Sequence, residues 1–140
     1  MKPWLCAAGV QLRDQIDTWF PDRSTASPEG WLGDSRHSSR KSDHNPDKSG
    51  VVRAIDINAR LQSSDSLAPY LADQIRIAAK SDARISYVIY NGRICSKILN
   101  WKWRKYKGIN PHRSHIHCSF TNAGDKDGRE FDIPLLGGKI

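Results

Sequence analysis

Asn91-Gly92, set between the runs Ile85 to Tyr90 and Arg93 to Ile98, constrains the fold more than any other stretch of this chain. Asn-Gly suits the two positive-φ positions of a type I′ turn, so the flanking runs predict two antiparallel strands joined by a tight hairpin. Two further strands are legible. Val51 to Ile57 is β-branched and follows the turn-forming Asn45-Pro46-Asp47-Lys48-Ser49-Gly50, which places Val52, Ala54 and Asp56 on one face. Ser114 to Phe120 predicts the last strand. Helical spacing of Leu5, Ala8, Leu12, Ile16 and Trp19 predicts a first helix from Trp4 to Phe20, stopped by Pro21. A second runs from Ser66 to Lys80 on Leu67, Leu71, Ile75 and Ala78, with Ser66 as its N-cap and Pro69 in the first turn. The expected architecture is α+β: a small, mainly antiparallel sheet with helices on one side and a cleft on the other. Residues 21 to 50 lack any period and predict a long ordered loop, and the Gly- and Asp-rich tail after Asn122 predicts loose packing.

With 140 residues, the chain is sized for one domain, and neither repeats nor low-complexity stretches divide it. Its 38% hydrophobic and 26% charged residues exclude a disordered chain, and no stretch reaches the roughly 20 apolar residues that cross a bilayer. The start has only a short apolar run before Arg13, Asp14 and Asp17, so it reads as helix rather than as a signal peptide, and synthesis in a cytoplasm is expected. Three cysteines, Cys6, Cys95 and Cys118, argue against a disulfide framework. A net charge of +7 points to a polyanionic partner: nucleic acid, acidic lipid or the acidic bacterial wall. On composition alone nucleic acid ranks first.

All five histidines fall in two short segments: His37 and His44 in the long loop, and His112, His115 and His117 close together before the last strand's end. On a strand, His115 and His117 project from one face about 6.6 Å apart, while Ile116, Cys118 and Phe120 point to the other. Cys118 beside His117 is a possible thiolate ligand, but alternation aims it at the core. A catalytic zinc takes three protein ligands and keeps a fourth position for water, so converging His and Asp side chains are the residue types such chemistry needs.

Three motifs resemble those of the LAS-type peptidoglycan peptidases, which include D-alanyl-D-alanine peptidases, phage endolysins and murein endopeptidases. They are Ser42-Asp43-His44, Gly50-Val51-Val52-Arg53-Ala54-Ile55-Asp56 and His115-Ile116-His117, in the family's order. The resemblance implies a hedgehog/DD-peptidase-like fold, a Zn2+ cofactor held by His44, Asp56 and His117, and His115 beside the metal without being a required ligand. Eleven residues separate His44 from Asp56 where the family usually has six, which reads as a turn insertion that leaves the ligands in place. Ser114 stands where many members carry an acidic base. The spacing of His112, His115 and His117 instead resembles that of murein endopeptidases, which gives His112 the role of base or polarising residue. Gly33-Asp34-Ser35-Arg36 resembles an element that presents an arginine to the substrate; Arg36 is the candidate and Arg40 the alternative.

Aromatic and basic residues alternate in Trp101-Lys102-Trp103-Arg104-Lys105-Tyr106-Lys107. Such a segment suits single-stranded nucleic acid, a groove for peptides bearing carboxylates, or a strand with its tryptophans in the core. Trp103 and Tyr106, with Ser42, are the candidate substrate-binding residues. The expected activity is hydrolysis of a stem-peptide or cross-link amide in bacterial peptidoglycan by a monomeric, endolysin-like enzyme made in a host cytoplasm and acting on the wall. The rivals are a nucleic-acid-binding protein or metal nuclease, and a wall-binding module with a structural zinc.

Overall fold

The computed structural model describes residues 2–27, 29–31, 42–108 and 112–138. The chain forms β1 (Trp4–Leu5), α1 (Ala7–Trp19), β2 (Val51–Val52), β3 (Ala54–Asn58), α2 (Ala68–Ala79), β4 (Ile85–Tyr90), β5 (Arg93–Ser96), β6 (Arg104–Lys105) and β7 (His115–Phe120). β3, β7, β4, β5 and β6 make one antiparallel sheet in that order, and β1 pairs in parallel with β2 beside it. The α+β class is therefore the observed one. Among the described residues no helix is long and apolar enough to cross a membrane.

The period-2 alternation read in the sequence sets the two faces of the sheet. Ile55, Ile57, Val88, Cys95, Ile116, Cys118 and Phe120 share a buried cluster with Ala8, Leu12 and Ile16 of α1 and Leu71, Ala72 and Ile75 of α2. Cys118 lies in this core, where burial pushes its thiol well above the ordinary value, so it stays a protonated packing residue. Asp56, His115 and His117 lie on the other face. Asp56 faces His117 directly across the β3–β7 ladder, and Asn58 faces His115.

The hairpin turn is as expected, with Asn91 at φ 50° and Gly92 at φ 77°. Pairing shifts between Ile85 and Tyr87: Ile85 opposes Phe120 while Tyr87 opposes Ser119. Strict alternation would put both residues on one face. The bulge turns Ile85 into the core and Tyr87 onto the histidine face.

Several boundaries move for reasons of pairing. Trp4 and Leu5 are not the first turn of α1, because their backbone joins the strand of Val51 and Val52, with Trp4 N–H on the Gly50 carbonyl at 2.9 Å. The strand expected from Val51 to Ile57 breaks at Arg53, whose guanidinium reaches Asp125 at 2.8 Å and Asp47 at 3.0 Å. Ser66 does not cap α2; Leu67 holds that position without a side-chain bond. The tail is not loose. Phe131, Ile133 and Leu136 are fully buried, and Gln15 of α1 accepts from the Phe131 N–H at 2.7 Å and donates to its carbonyl at 3.0 Å. Hydropathy missed this because Gly and Asp residues surround the few buried side chains.

Candidate metal centre

The described parts of the long loop are pinned on both sides of β3. Upstream, Gly30 at φ 118° exchanges backbone bonds with Asp56, at 3.0 and 2.7 Å, which lays Trp31 beside the strand. Glu29 takes the Asn58 N–H at 2.9 Å and the Arg23 guanidinium at 2.8 Å. Downstream, Asp47 closes the turn after His44 by accepting from Ser49 N–H at 2.8 Å and Val51 N–H at 3.2 Å. The residues between His44 and Asp56 thus form a closed turn that doubles the chain back, and Arg53 N–H reaches the Asp43 carbonyl at 3.3 Å. This is the physical basis on which the longer spacing leaves His44 facing β3.

His44 Nε2 lies 3.1 Å from Asp56 Oδ2, and His117 Nδ1 lies 3.0 Å from Asp56 Oδ1. The ligand atoms of the three residues all fall within 4.8 Å of one another. Donors about 2.0–2.1 Å from a tetrahedral centre are about 3.4 Å apart, so the donor set fits a metal ion with small side-chain shifts. The outer nitrogens are held as well. His44 Nδ1–H donates to the Trp31 carbonyl at 2.8 Å, and Ser119 Oγ stands 2.8 Å from His117 Nε2.

These outer contacts decide the chemistry of the inner atoms. A carbonyl only accepts, so the His44 proton sits on Nδ1 and the Nε2 lone pair faces the Asp56 carboxylate unless a cation lies between them. Burial would raise the Asp56 carboxyl, but His117 and His44 outweigh it and hold it well below the usual carboxylate range. Burial would likewise lower the His44 imidazole, and the Asp56 carboxylate reverses that and raises it. The centre is a place where a positive charge, a proton or a metal ion, is stabilised.

The remaining expected residues fall at graded distances. The His112 ring centroid is 4.6 Å from that of His115 and 5.2 Å from that of His117, and His112 adopts φ 56° with its carbonyl accepting from Asn91 N–H at 2.8 Å. His115 Nε2 is 3.6 Å from Asp56 Oδ1, and burial lowers its imidazole. Tyr106 meets His112 edge-on at 5.9 Å, so it borders the cluster. Ser42 Oγ accepts from the His44 N–H at 3.2 Å and so shapes the turn that presents His44. Trp103 is not drawn to the cluster either. Its indole N–H donates to Asp73 of α2 at 3.0 Å and its ring packs against the core. Arg36, Arg40 and His37 lie outside the described residues.

Tyr87 is the site residue that sequence reading missed. Its ring stacks on His117 at 5.5 Å and an interplanar angle of 16°, and its hydroxyl donates to Asp43 Oδ2 at 2.8 Å. Burial raises the phenol above its ordinary value, which keeps it a donor. Only the bulge brings it to this face, and alternation in the sequence gave no signal for a bulge. No protein-family model, no curated protein and no solved structure matches this chain.

Proposed function

We propose that this chain is a zinc-dependent peptidase that hydrolyses an amide bond in the stem peptide or cross-link of bacterial peptidoglycan, as an endolysin does. The observation that carries the reading is the convergence of His44, Asp56 and His117 from three separate segments, in the motif order of the LAS-type peptidases. Two neutral imidazoles and one carboxylate leave a bound zinc positively charged with a position open for water, so it would acidify that water and polarise the scissile carbonyl. The Trp31 carbonyl holds His44 in the tautomer that leaves Nε2 free for ligation, and Ser119 Oγ, 2.8 Å from Nε2 of His117, steadies the second ring. His112 stands beside both other histidines of its segment and carries the proton to the leaving amine. His115, with Arg36, stabilises the oxyanion. Tyr106, bordering His112, contacts the substrate. The net charge of +7 favours an acidic wall polymer, and the enzyme acts there as a monomer after synthesis in a host cytoplasm.

The test combines metal and product analysis. Chelator-stripped protein should take up one tightly bound zinc and then release free amino groups, without reducing sugar ends, from purified peptidoglycan. His44→Ala, Asp56→Ala and His117→Ala should each lose the tight zinc and the hydrolysis while remaining folded by circular dichroism. Mass spectrometry of the muropeptides identifies the bond. Tight DNA binding with no wall hydrolysis would replace this reading by the nucleic-acid one.

A further inference from the structure

We propose that the cluster holds a second, weaker zinc position, formed by His112, His115 and the shared Asp56, which fills when zinc is in excess and shuts the enzyme down. The ligand atoms of these three residues also fall within 4.8 Å of one another. Asp56 can serve both positions because it carries two oxygens, and one of them is near both His117 of the first set and His115 of the second. Oδ2 faces His44 at 3.1 Å, while Oδ1 faces His117 at 3.0 Å and His115 at 3.6 Å. Bridging carboxylates of this kind hold paired metals about 3.5–4 Å apart in two-metal sites.

His115 supplies an independent sign that this side awaits a cation. Its side chain is 5% exposed, its Nδ1 is buried without a hydrogen-bond partner among the described residues, and its Nε2 stands beyond hydrogen-bond range of Asp56. A buried imidazole nitrogen left without a partner is costly, and a cation bound at it would remove the cost. His112, at φ 56°, completes the set with its ring edge-on to His115 and His117, at centroid distances of 4.6 and 5.2 Å.

The two positions cannot be equal. The His44 side has its imidazoles oriented by Trp31 and Ser119, whereas the His112 side adds only two imidazoles and must accept a second dication near the first with no further carboxylate. Filling order follows: first His44, Asp56 and His117, then the second set. Occupation of the second set takes away the imidazoles assigned to proton transfer and oxyanion binding, so it inhibits. This last consequence rests on the peptidase reading; the second position itself does not.

Zinc titration of the stripped full chain, followed by calorimetry and by competition with a chromophoric chelator, separates the two claims. Two steps are expected, the second about 100-fold weaker or more. His112→Ala, His112→Gln and His115→Ala should keep the first step and lose the second, while His44→Ala should lose the first, with circular dichroism confirming folded protein throughout. On peptidoglycan, the zinc concentration that halves the rate should match the second dissociation constant. A single step, or a second step that survives in all three variants, would overturn the second position. Two steps with no wall hydrolysis at any zinc concentration would support the position and overturn the peptidase reading together with the shutdown. Hydrolysis unaffected by filling the second step would overturn the shutdown alone.

Discussion

At the scale of single residues, the centre depends on which nitrogen of each histidine carries a proton. The Trp31 carbonyl makes that choice for His44 from outside the ligand set, while the fully buried Ser119 hydroxyl, able to donate or accept, holds the His117 ring in place. Outer partners of metal-bound histidines typically contribute 10–100-fold to affinity. Ser119→Ala should therefore weaken zinc binding by about 10-fold without changing the stoichiometry of the tight step. Competition with a chelator of known affinity measures this, and unchanged affinity would show that β7 packing alone orients His117. His44 and His117 were legible as ligand candidates through residue types in a motif order that resembles the LAS-type peptidases. Their tautomers were not, because the Trp31 carbonyl belongs to no side-chain pattern.

At the scale of elements, the loop carrying His44 and the strand carrying His117 must be held together across the sheet's open face. Tyr87 does this through a ring stacked on His117 and a hydroxyl bonded to Asp43, one residue before His44. Tyr87→Phe keeps the stack and removes only the bond to the loop. The expected result is a zinc affinity about 10-fold lower, with the thermal midpoint changed by a few degrees at most, because the deleted bond is solvent-exposed. Equal affinity in the two proteins would mean that the Asp47 turn fixes the loop unaided. The hairpin, the final strand and both helices were readable because each rests on a period or a turn signal within about a dozen residues. The bulge between Ile85 and Tyr87 was not, since it answers to the partner strand.

At the scale of the whole molecule, the tail closes the core, and Arg84 is one of its fastenings beside Gln15. The Arg84 guanidinium bonds Asp82 at 2.6 Å and the Arg129 carbonyl at 2.6 Å, and lies 3.9 Å over the Phe131 ring. Burial would raise the Asp82 carboxyl, but Arg84 outweighs it and holds it below its ordinary value. A carboxyl lowered in the folded state stabilises the protein above the unfolded value near 3.9, and the contribution is lost as pH falls through the folded value. Asp82→Asn should thus cost about 2 kcal/mol at neutral pH and show a shallower loss of stability than the parent as pH falls below about 4. Denaturant unfolding across that range tests it. Parallel pH curves would place the acid sensitivity elsewhere.

The chain's own order of residues determined the α+β class, the face of the last strand on which His115 and His117 lie, and the three residues able to share one ion. The first two depend on backbone periods and turn chemistry, which are local, and the third on residue types in a motif order that resembles the LAS-type peptidases. Tertiary structure alone decided that the insertion before Asp56 folds away as a closed turn and that Tyr87 joins the cluster while Trp103 turns to α2. It also decided that Ser42 bonds the His44 backbone within the loop, and that the tail belongs to the core. Those outcomes hang on hydrogen bonds and packing between segments as much as 121 residues apart, such as Gln15 with Leu136, and no local pattern encodes a partner at that distance.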